Sequence, residues 1–228
     1  MSKLLSIIVP VYNEEHLITK SLPEICRLNI NKEVIVVDDG SQDKTPFLLQ
    51  ELKKTYNFKL ITQDINQGKG AAVKKGLKEI NGDYFIVCDA DLEYEPQDIV
   101  NLFAQAEKAG HENIAFFGSR FKNNKSFTFH YLVNRFLTEL TNLLFKIRLT
   151  DMETCFKMLP VSALPKIKLN GKRFEIEPEI TTRLIKAGYK IKEIPISYAR
   201  RSYQEGKKIT AKDGFLAVIT IFKTRFTK

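Results

Sequence analysis

Two acidic residues stand one position apart in the stretch FIVCDADLEYEP, residues 85–96. Its first four residues have the continuous apolar character of a buried strand, so Asp89 and Asp91 should emerge together where that strand ends. Neighbouring carboxylates repel each other unless a cation lies between them. Hard oxygen donors at this spacing suit Mg²⁺ or Mn²⁺, with Glu93 as a candidate further ligand. The alternative is a pair of solvated or helix-capping acids.

The same polar pattern follows several other predicted strands. The strands are LLSIIVPV, EVIVVDD, FKLIT, YFIVCDAD and NIAFFGS, with helical patterns between them. Expected helix starts are Asn13, Ser41 or Asp43, Gly68 and Pro96. Repeated βα units predict an α/β fold with an open, mostly parallel sheet and helices on both faces, whose ligands bind at the carboxyl ends of the strands. The polar residues of PVYNEE, VDDGS, CDAD and FGSR should therefore share one rim.

The pattern changes after residue 120. A long helical stretch covers residues 127–147, and a helix followed by a strand is predicted in FEIEPEITTRLIKAGYKIKEIPI. The apolar stripe of the long stretch is expected to run through Phe129, Leu132, Phe136, Leu140, Leu144 and Ile147. The C-terminal tail is amphipathic, with Phe215, Ile219, Phe222 and Phe226 at helical spacing. Both stretches are edged by Lys and Arg, as in interfacial membrane helices, although core packing is the alternative for the first.

Composition narrows the class of protein only slightly. The 228 residues carry a net charge of +9, which suits nucleic-acid binders, proteins at anionic membranes and enzymes with phosphorylated substrates. No nucleic-acid-binding motif is present, so we expect no nucleic-acid partner. The three cysteines are isolated, which favours a reducing, cytosolic compartment. Neither a signal peptide nor a membrane-spanning run is predicted.

An ordered set of motifs carries a specific resemblance. SIIVPVYNEE, VIVVDDGSQDKT, NQGKGAAVKKGL and DADLEYEPQDI resemble, in this order, the family 2 glycosyltransferases with the Rossmann-like GT-A fold. DMETCFKMLP, FEIEPEITTRLIKAGYKIKEIPISY and RRSYQEGKKI are similar to the branch of dolichyl-phosphate mannose and glucose synthases and their bacterial polyprenyl-phosphate relatives. The match runs over roughly residues 4 to 213.

The resemblance implies inverting, metal-dependent transfer of a hexose from a nucleotide diphosphate sugar, of the GDP-mannose or UDP-glucose type, to a polyprenyl or dolichyl phosphate. Such an enzyme would act peripherally at the cytoplasmic face of a membrane. One GT-A domain is then expected over residues 1–228, with a C-terminal elaboration. Its parts would be a nucleotide-sugar-binding half (1–120), an acceptor-binding half (121–212) and the amphipathic tail (213–228).

The resemblance also implies roles for single residues, with Mg²⁺ or Mn²⁺ on Asp89, Asp91 and Glu93. Many relatives have Gln at the position of Glu93. The base and ribose would be cradled by Pro10, Tyr12, Glu14, Val37 and Asp39, and Ala90 would pack beside the nucleotide. Arg120 and Arg135 would bind the acceptor phosphate, and Arg201 and Lys207 would close over the diphosphate.

Two further acids, Asp151 and Glu153 of TDMETCF, match the acidic base motif of many family 2 enzymes. Asp151 would either deprotonate an acceptor or only orient it and hold a neighbouring arginine, because a phosphate acceptor is already an anion. An enzyme of the same fold acting on a saccharide or protein acceptor, with Asp151 or Glu153 as base, is the alternative function. Lys69 is expected near the donor, and Glu177 is expected to pair with a basic residue. A basic nucleic-acid-binding protein is a distant alternative.

Overall fold

A computed structural model describes residues 3–110, 113–122, 129–199 and 210–227 of the chain. The strands are Leu5–Val11 (β1), Lys32–Asp38 (β2), Lys59–Thr62 (β3), Tyr84–Val87 (β4), Ile114–Ser119 (β5), Lys157–Pro160 (β6) and Lys190–Pro195 (β7). The α-helices are Ile18–Arg27 (α1), Thr45–Lys53 (α2), Lys69–Gly76 (α3), Gln97–Ala109 (α4), Phe129–Phe145 (α5), Ile176–Lys186 (α6) and Ala211–Phe226 (α7). A short 3₁₀ helix, Val161–Lys166, follows β6.

All seven strands form one sheet in the order β3-β2-β1-β4-β6-β5-β7. The β1 strand pairs in parallel with β2 and β4, β2 pairs in parallel with β3, and β5 does so with β7. The β6 strand is antiparallel to both of its neighbours, β4 and β5. The mostly parallel sheet predicted from the sequence is confirmed, and β6 is an addition that the sequence did not predict.

The central strands are covered on both faces. Successive residues of β1, such as Ile7 and Ile8, point to opposite faces of the sheet, and both are fully buried. On one face α3 packs so closely that a Cβ added to Gly76 would lie 2.7 Å from Cγ2 of Ile8. This two-sided burial explains why the strands are continuously apolar in sequence.

Two of the predicted helix starts hold, since Gly68 precedes α3 and Pro96 precedes α4. The expectation for Asn13 is wrong, because α1 starts only at Ile18. Asn13 has a left-handed φ of 48° and belongs to the loop after β1. Its Oδ1 accepts a hydrogen bond from the backbone N–H of Gln42 at 2.8 Å. The loops that follow β1 and β2 are therefore tied together.

The C-terminal tail is a docked helix with a second small core beneath it. Ala217 and Ile221 of α7 are buried together with Leu137 of α5 and with Leu149 and Met152 of the segment before β6. A capping box between Thr210 and Asp213 starts α7. The expected tail of 213–228 therefore lies mostly in α7, which begins at Ala211 and has one face buried.

Two residues of the apolar stripe predicted for α5 do not pack in the second core. Leu132 and Phe136 are exposed, whereas Val133 and Leu137 face the second core. The exposed large apolar side chains of the two helices are Leu132, Phe136 and Leu143 of α5 and Phe215, Ile219, Phe222 and Phe226 of α7. Within the ranges that the structure describes, no helix combines the length and the apolar character needed to cross a membrane.

Candidate active site

A cavity of about 420 Å³ opens at the carboxyl ends of β1, β2 and β4. Most of the predicted site residues line it, namely Pro10, Tyr12, Glu14, Asp39, Asp89, Ala90, Asp91, Glu93 and Arg120. The strand-end rule therefore located the cavity correctly, because parallel strands deliver their following loops to one edge of the sheet.

The acidic loop after β4 folds back on itself. Leu92, between Asp91 and Glu93, has a left-handed φ of 58°, which is strained backbone for a leucine. In this turn Asp91 Oδ1 accepts a hydrogen bond from the Glu93 backbone N–H at 3.0 Å. The hydroxyl of Tyr198 donates to Glu93 Oε2 at 2.7 Å. The loop is thus attached to the segment that leads towards residue 200.

A lysine from another part of the chain lies against the acidic loop. The ammonium of Lys69, the first residue of α3, lies 2.7 Å from Asp89 Oδ2 and 3.1 Å from Glu177 Oε1. Burial alone would lower the pKa of Lys69, but the neighbouring charges, Asp89 first, outweigh burial and hold that pKa well above its ordinary value. Lys69 is therefore a permanent positive charge in the wall of the cavity, beside Asp89 and Glu177.

Glu177 pairs with a second lysine, as the sequence predicted. Its Oε2 accepts from Lys157 Nζ at 2.6 Å, and both side chains are buried. Burial would raise the pKa of Glu177, but Lys157 and Lys69 reverse this effect, and its pKa is lowered. Glu177 also lines the cavity, so it is a site residue as well as a structural one.

Asp39 organises the loop that begins α3. Its Oδ2 accepts from the Gly68 backbone N–H at 2.7 Å, and its Oδ1 accepts from the Gln67 N–H at 2.9 Å. Gly68 has a φ of 97°, and a Cβ there would lie 2.5 Å from the carbonyl oxygen of Lys172. Only glycine fits at this position. The loop in turn fixes where Lys69 enters the cavity wall.

Arg120 is held by Asp151 and by aromatic rings. Its Nε and Nη2 donate to the two carboxylate oxygens of Asp151, each at 2.7 Å. The guanidinium carbon lies 5.2 Å from the ring centre of Tyr198 and 5.9 Å from that of Tyr94. Burial alone would lower the pKa of Arg120, but the negative charge of Asp151 outweighs burial and raises that pKa well above its ordinary value. Asp151 is fully buried and does not line the cavity.

The geometry of Asp151 bears on the two roles considered for it. With both oxygens bound by Arg120, this carboxylate is placed to hold an arginine and not to take a proton from an acceptor. Of the two roles considered for Asp151, this geometry favours holding a neighbouring arginine over deprotonating an acceptor.

Glu153 has a different environment from Asp151. It lines the cavity, and although part of the residue reaches the surface, its Oε1 is buried and has no hydrogen-bond partner among the described residues. Burial raises its pKa to about 7, against the opposing effect of Lys157. Glu153 can therefore exchange a proton near neutral pH, which a general base requires.

Besides Asp151, two predicted residues that the structure describes, Val37 and Arg135, do not line the cavity. Val37 is buried in the core between β2 and α3, packed with Ile35 and Ala72, which corrects its expected nucleotide contact. Arg135 pairs with Glu139 on α5 and is half exposed, and the residue that lines the cavity is its neighbour Asn134. Arg201 and Lys207 lie outside the described residues.

Several cavity residues were not predicted as site residues. They are Asn66, Gly68, Ala72, Tyr94, Asn134, Cys155, Arg173, Phe174, Glu177 and Tyr198, with Val11 from β1; Lys69, which was expected near the donor, also lines the cavity. Tyr198 stands three residues before Arg201 in SYARRSY, so its position beside a predicted arginine was an available signal. Phe174 is the first residue of the FEIEPEI segment, for which a helix was predicted, and Arg173 precedes it. Neither residue follows a predicted strand, which was the signal that pointed to the other site residues.

Comparison with known proteins decides the family. The sequence model of glycosyl transferase family 2 matches residues 6–168, which is most of the chain. The chain belongs to glycosyl transferase family 2. It is therefore a glycosyltransferase, as the motif order predicted.

Two curated relatives and one solved structure illustrate the family. A dolichol-phosphate mannosyltransferase of Pyrococcus furiosus is 35% identical over 211 residues, which are 89% of this chain and 58% of the relative. This family 2 chain thus spans just over half of that relative. An uncharacterised protein of Methanocaldococcus jannaschii is 32% identical, over 83% of this chain and 86% of its own length.

The solved structure is glucosyl-3-phosphoglycerate synthase from Mycobacterium tuberculosis with Mn²⁺, UDP and phosphoglyceric acid. It superposes with a TM-score of 0.71 at 16% identity and covers 99% of this chain and 80% of that chain. This likeness shows the GT-A fold of the family 2 chain.

Proposed function

We propose that this glycosyltransferase transfers a hexose from a nucleotide diphosphate sugar, of the GDP-mannose or UDP-glucose type, to a polyprenyl or dolichyl phosphate. The observation that carries the proposal is Asp151, whose carboxylate is fully used in holding Arg120 at the cavity. A phosphate acceptor is already a nucleophilic anion and needs a cation to position it, not a base. Here Asp151, at the position where a base was expected, holds the cation Arg120 instead. This arrangement suits a phosphate acceptor.

The donor and metal parts of the proposal rest on the acidic loop. Asp89, Asp91 and Glu93 line one cavity together with Asp39 and Tyr12, the residues expected to contact the nucleoside. The part of the chain that the structure describes has no group of three His, Cys, Asp or Glu placed to hold a metal ion without other ligands. Mg²⁺ commonly uses one or two carboxylates and takes its other ligands from substrate phosphates, and this donor set fits that mode. The ion would neutralise the leaving diphosphate.

The predicted roles of Arg201 and Lys207 remain part of the proposal. Tyr198 and Ala199, just before them, are hydrogen-bonded to Glu93 of the acidic loop. This attachment supports their expected place over the diphosphate, where a guanidinium and an ammonium would stabilise developing charge.

Peripheral membrane contact at the cytoplasmic face is also proposed. Seven large apolar side chains of α5 and α7 are exposed, with Lys223 and Arg225 beside them on α7. A lipid-linked phosphate stays in the bilayer, so its transferase has to approach the surface. Exposed aromatic residues edged by basic ones suit that approach.

The test is a substrate panel. GDP-mannose, UDP-glucose and UDP-N-acetylhexosamines are each incubated with a short polyprenyl phosphate and Mn²⁺ or Mg²⁺, and glycolipid is measured by mass spectrometry. Transfer to the polyprenyl phosphate, but not to the matching polyprenol, is expected. Transfer to a free saccharide without any lipid product would contradict the proposal.

A second function is favoured by one observation: Oε1 of Glu153 has no hydrogen-bond partner in the part of the chain that the structure describes, and burial raises the pKa of this carboxyl to about 7. In a transferase acting on a saccharide or protein hydroxyl, Glu153 would be the general base. Glu153→Gln distinguishes the two functions. The variant should retain transfer to a polyprenyl phosphate, whereas loss of at least about a hundredfold in kcat with a hydroxyl acceptor would identify Glu153 as a base.

A further inference from the structure

Arg173 lines the cavity from the connection that precedes α6. The backbone of this connection is tied to two helices. The N–H groups of Lys172 and Arg173 donate to the carboxylate of Glu175, the residue before α6, at 2.9 and 3.2 Å. The carbonyl oxygen of Lys172 accepts from the N–H of Ala71 in α3 at 3.0 Å. The place of Arg173 at the cavity is therefore set by α3 and α6 together.

The side chain of Arg173 is held by a third helix. Its Nε donates to Oδ1 of Asp213, in the first turn of α7, at 3.0 Å. The other oxygen, Asp213 Oδ2, accepts from the backbone N–H and the hydroxyl of Thr210 at 2.8 and 2.7 Å. The side chain of Asp213 is 1% exposed, whereas that of Arg173 is 44% exposed. One edge of the guanidinium is thus fixed against buried protein, and the rest of it is open.

The open part of the guanidinium carries its terminal nitrogens. A guanidinium has five N–H donors, and Asp213 uses the one on Nε. Within the residues that the structure describes, neither Nη1 nor Nη2 of Arg173 donates a hydrogen bond. These two nitrogens present a planar fork of donors, which matches two oxygens of one phosphate group.

The other cations of the cavity are more fully occupied. Among the described residues, Lys69, Arg120 and Arg173 are the lysines and arginines that line it. The ammonium of Lys69 lies between two carboxylates, and Arg120 gives both Nε and Nη2 to Asp151. In this group Arg173 alone keeps both terminal nitrogens for a ligand.

We propose that Arg173 is a further phosphate-binding residue of the cavity, positioned by Asp213 of α7. The inference rests on the proposed function, whose two substrates both carry phosphate: the diphosphate of the donor and the phosphate of the acceptor. The stem of Arg173 lies along the loop that begins α3, since a Cβ added to Gly68 would lie 3.0 Å from its Cγ. Its charged end is fixed by α7, the helix with exposed apolar side chains. Arg173 thus stands between the loop held by Asp39 and the helix proposed to meet the membrane.

The experiment measures binding at equilibrium by isothermal titration calorimetry. The probes are inorganic pyrophosphate, UDP and GDP, each with Mg²⁺, and farnesyl phosphate, with uncharged farnesol as the comparison. Arg173→Met should weaken at least one phosphate probe by about tenfold or more, because charged hydrogen bonds are lost. A loss with UDP or GDP assigns Arg173 to the donor, and a loss with farnesyl phosphate alone assigns it to the acceptor. Arg173→Lys should fall between wild type and Arg173→Met, because it keeps the charge without the fork.

The matched control is Lys172→Met. It removes the same charge from the adjacent residue, which is exposed and does not line the cavity, so its affinities should equal those of wild type. Arg173→Met also leaves the buried Asp213 without its counter-charge. The double variant Arg173→Met/Asp213→Asn removes both charges, should bind as weakly as Arg173→Met, and decides if the single variant does not fold. Thermal melting checks the folding of each.

Three results would overturn the inference. Folded Arg173 variants that bind every probe as wild type does would remove Arg173 from the site and leave the proposed function standing. An equal loss in Lys172→Met would show a general effect of charge and not a contact. Wild-type protein that binds neither nucleotide nor farnesyl phosphate would contradict the inference and the proposed function together.

Discussion

Between pH 4.5 and about 7, Glu153 is protonated in the folded protein and ionised in the unfolded chain. Its ordinary pKa is 4.5, and burial raises the folded value to about 7. Below pH 4.5 Glu153 is protonated in both the folded and the unfolded state, so its burial costs no ionisation energy and the stability contributed by the protonated side chain is fully present. Between 4.5 and 7 the folded state binds more protons, and the free energy of unfolding falls as the pH rises.

Glu153→Gln should remove this pH dependence. The melting temperature of the variant minus that of wild type should increase from pH 4.5 to 7 and level off above it. A chain of this size gains about 2–4 °C per kcal/mol, so the change is measurable by differential scanning calorimetry. Asp83→Asn, at an exposed ion pair, is the control. A difference that stays constant with pH would show that the Glu153 carboxyl titrates normally.

Arg120 and Asp151 should behave as one unit. Asp151→Asn leaves a buried guanidinium without its counter-charge and should lower the free energy of unfolding by about 3–5 kcal/mol. Arg120→Met/Asp151→Asn removes both charges and should cost less than the sum of the single variants. Urea denaturation measures both effects. Additive losses would mean that the two side chains do not stabilise each other.

Which site residues the sequence could predict depends on how they are brought together. Asp39, Asp89 and Asp91 each follow a strand, and a parallel sheet aligns such positions whatever the side chains are. Their partners come from elsewhere in the fold: Glu177 reaches Lys69 from α6. Such contacts depend on the packing of helices against the sheet, which local patterns in the chain do not encode.

At the scale of elements, α7 divides its apolar residues between the second core and the surface. Ile221 is fully buried, and Phe226 is 75% exposed. Ile221→Ala should lower the free energy of unfolding by about 2–5 kcal/mol, because it removes buried methyl groups and leaves a cavity. Phe226→Ala should change it by less than about 0.5 kcal/mol. Chemical denaturation of the two variants compares them, and equal losses would mean that α7 is not docked through Ile221.

The β6 strand shows why some elements of the sheet cannot be predicted from the sequence. The five strands β1 to β5 and strand β7 were predicted, since each is a β-branched or aromatic run beside a helical pattern. The β6 strand has only four residues, KMLP, and ends in a proline. It lacks alternation, β-branched residues and length, so only its two neighbours in the sheet define it as a strand.

For the whole molecule, the exposed apolar residues of α5 and α7 predict reversible binding to anionic vesicles. Phe136→Ser/Phe222→Ser/Phe226→Ser should reduce flotation with phosphatidylglycerol vesicles severalfold and leave the melting temperature nearly unchanged, since these side chains are exposed. Phe47→Ser, an exposed phenylalanine on α2, is the control.

Salt should distinguish the electrostatic contribution to vesicle binding from the apolar contribution. Raising the ionic strength to 1 M shortens the Debye length to about 3 Å, so the contribution of the basic residues should decline while that of the apolar ones remains. Equal flotation of wild type and the triple variant at low salt would contradict a membrane role for these helices.

The antiparallel β6 strand determines the order in which strands can pair while the chain is being synthesised. Its pairing partners β4 and β5 both leave the ribosome before it, and neither can pair with β6 until residues 157–160 have emerged. The β3-β2-β1-β4 half can assemble early, whereas β5 waits with an open edge through the synthesis of α5. A nascent chain arrested within α5 would therefore expose β5 to chaperones, and one extended past Pro160 would cover the edge that faces β6, while the other edge waits for β7.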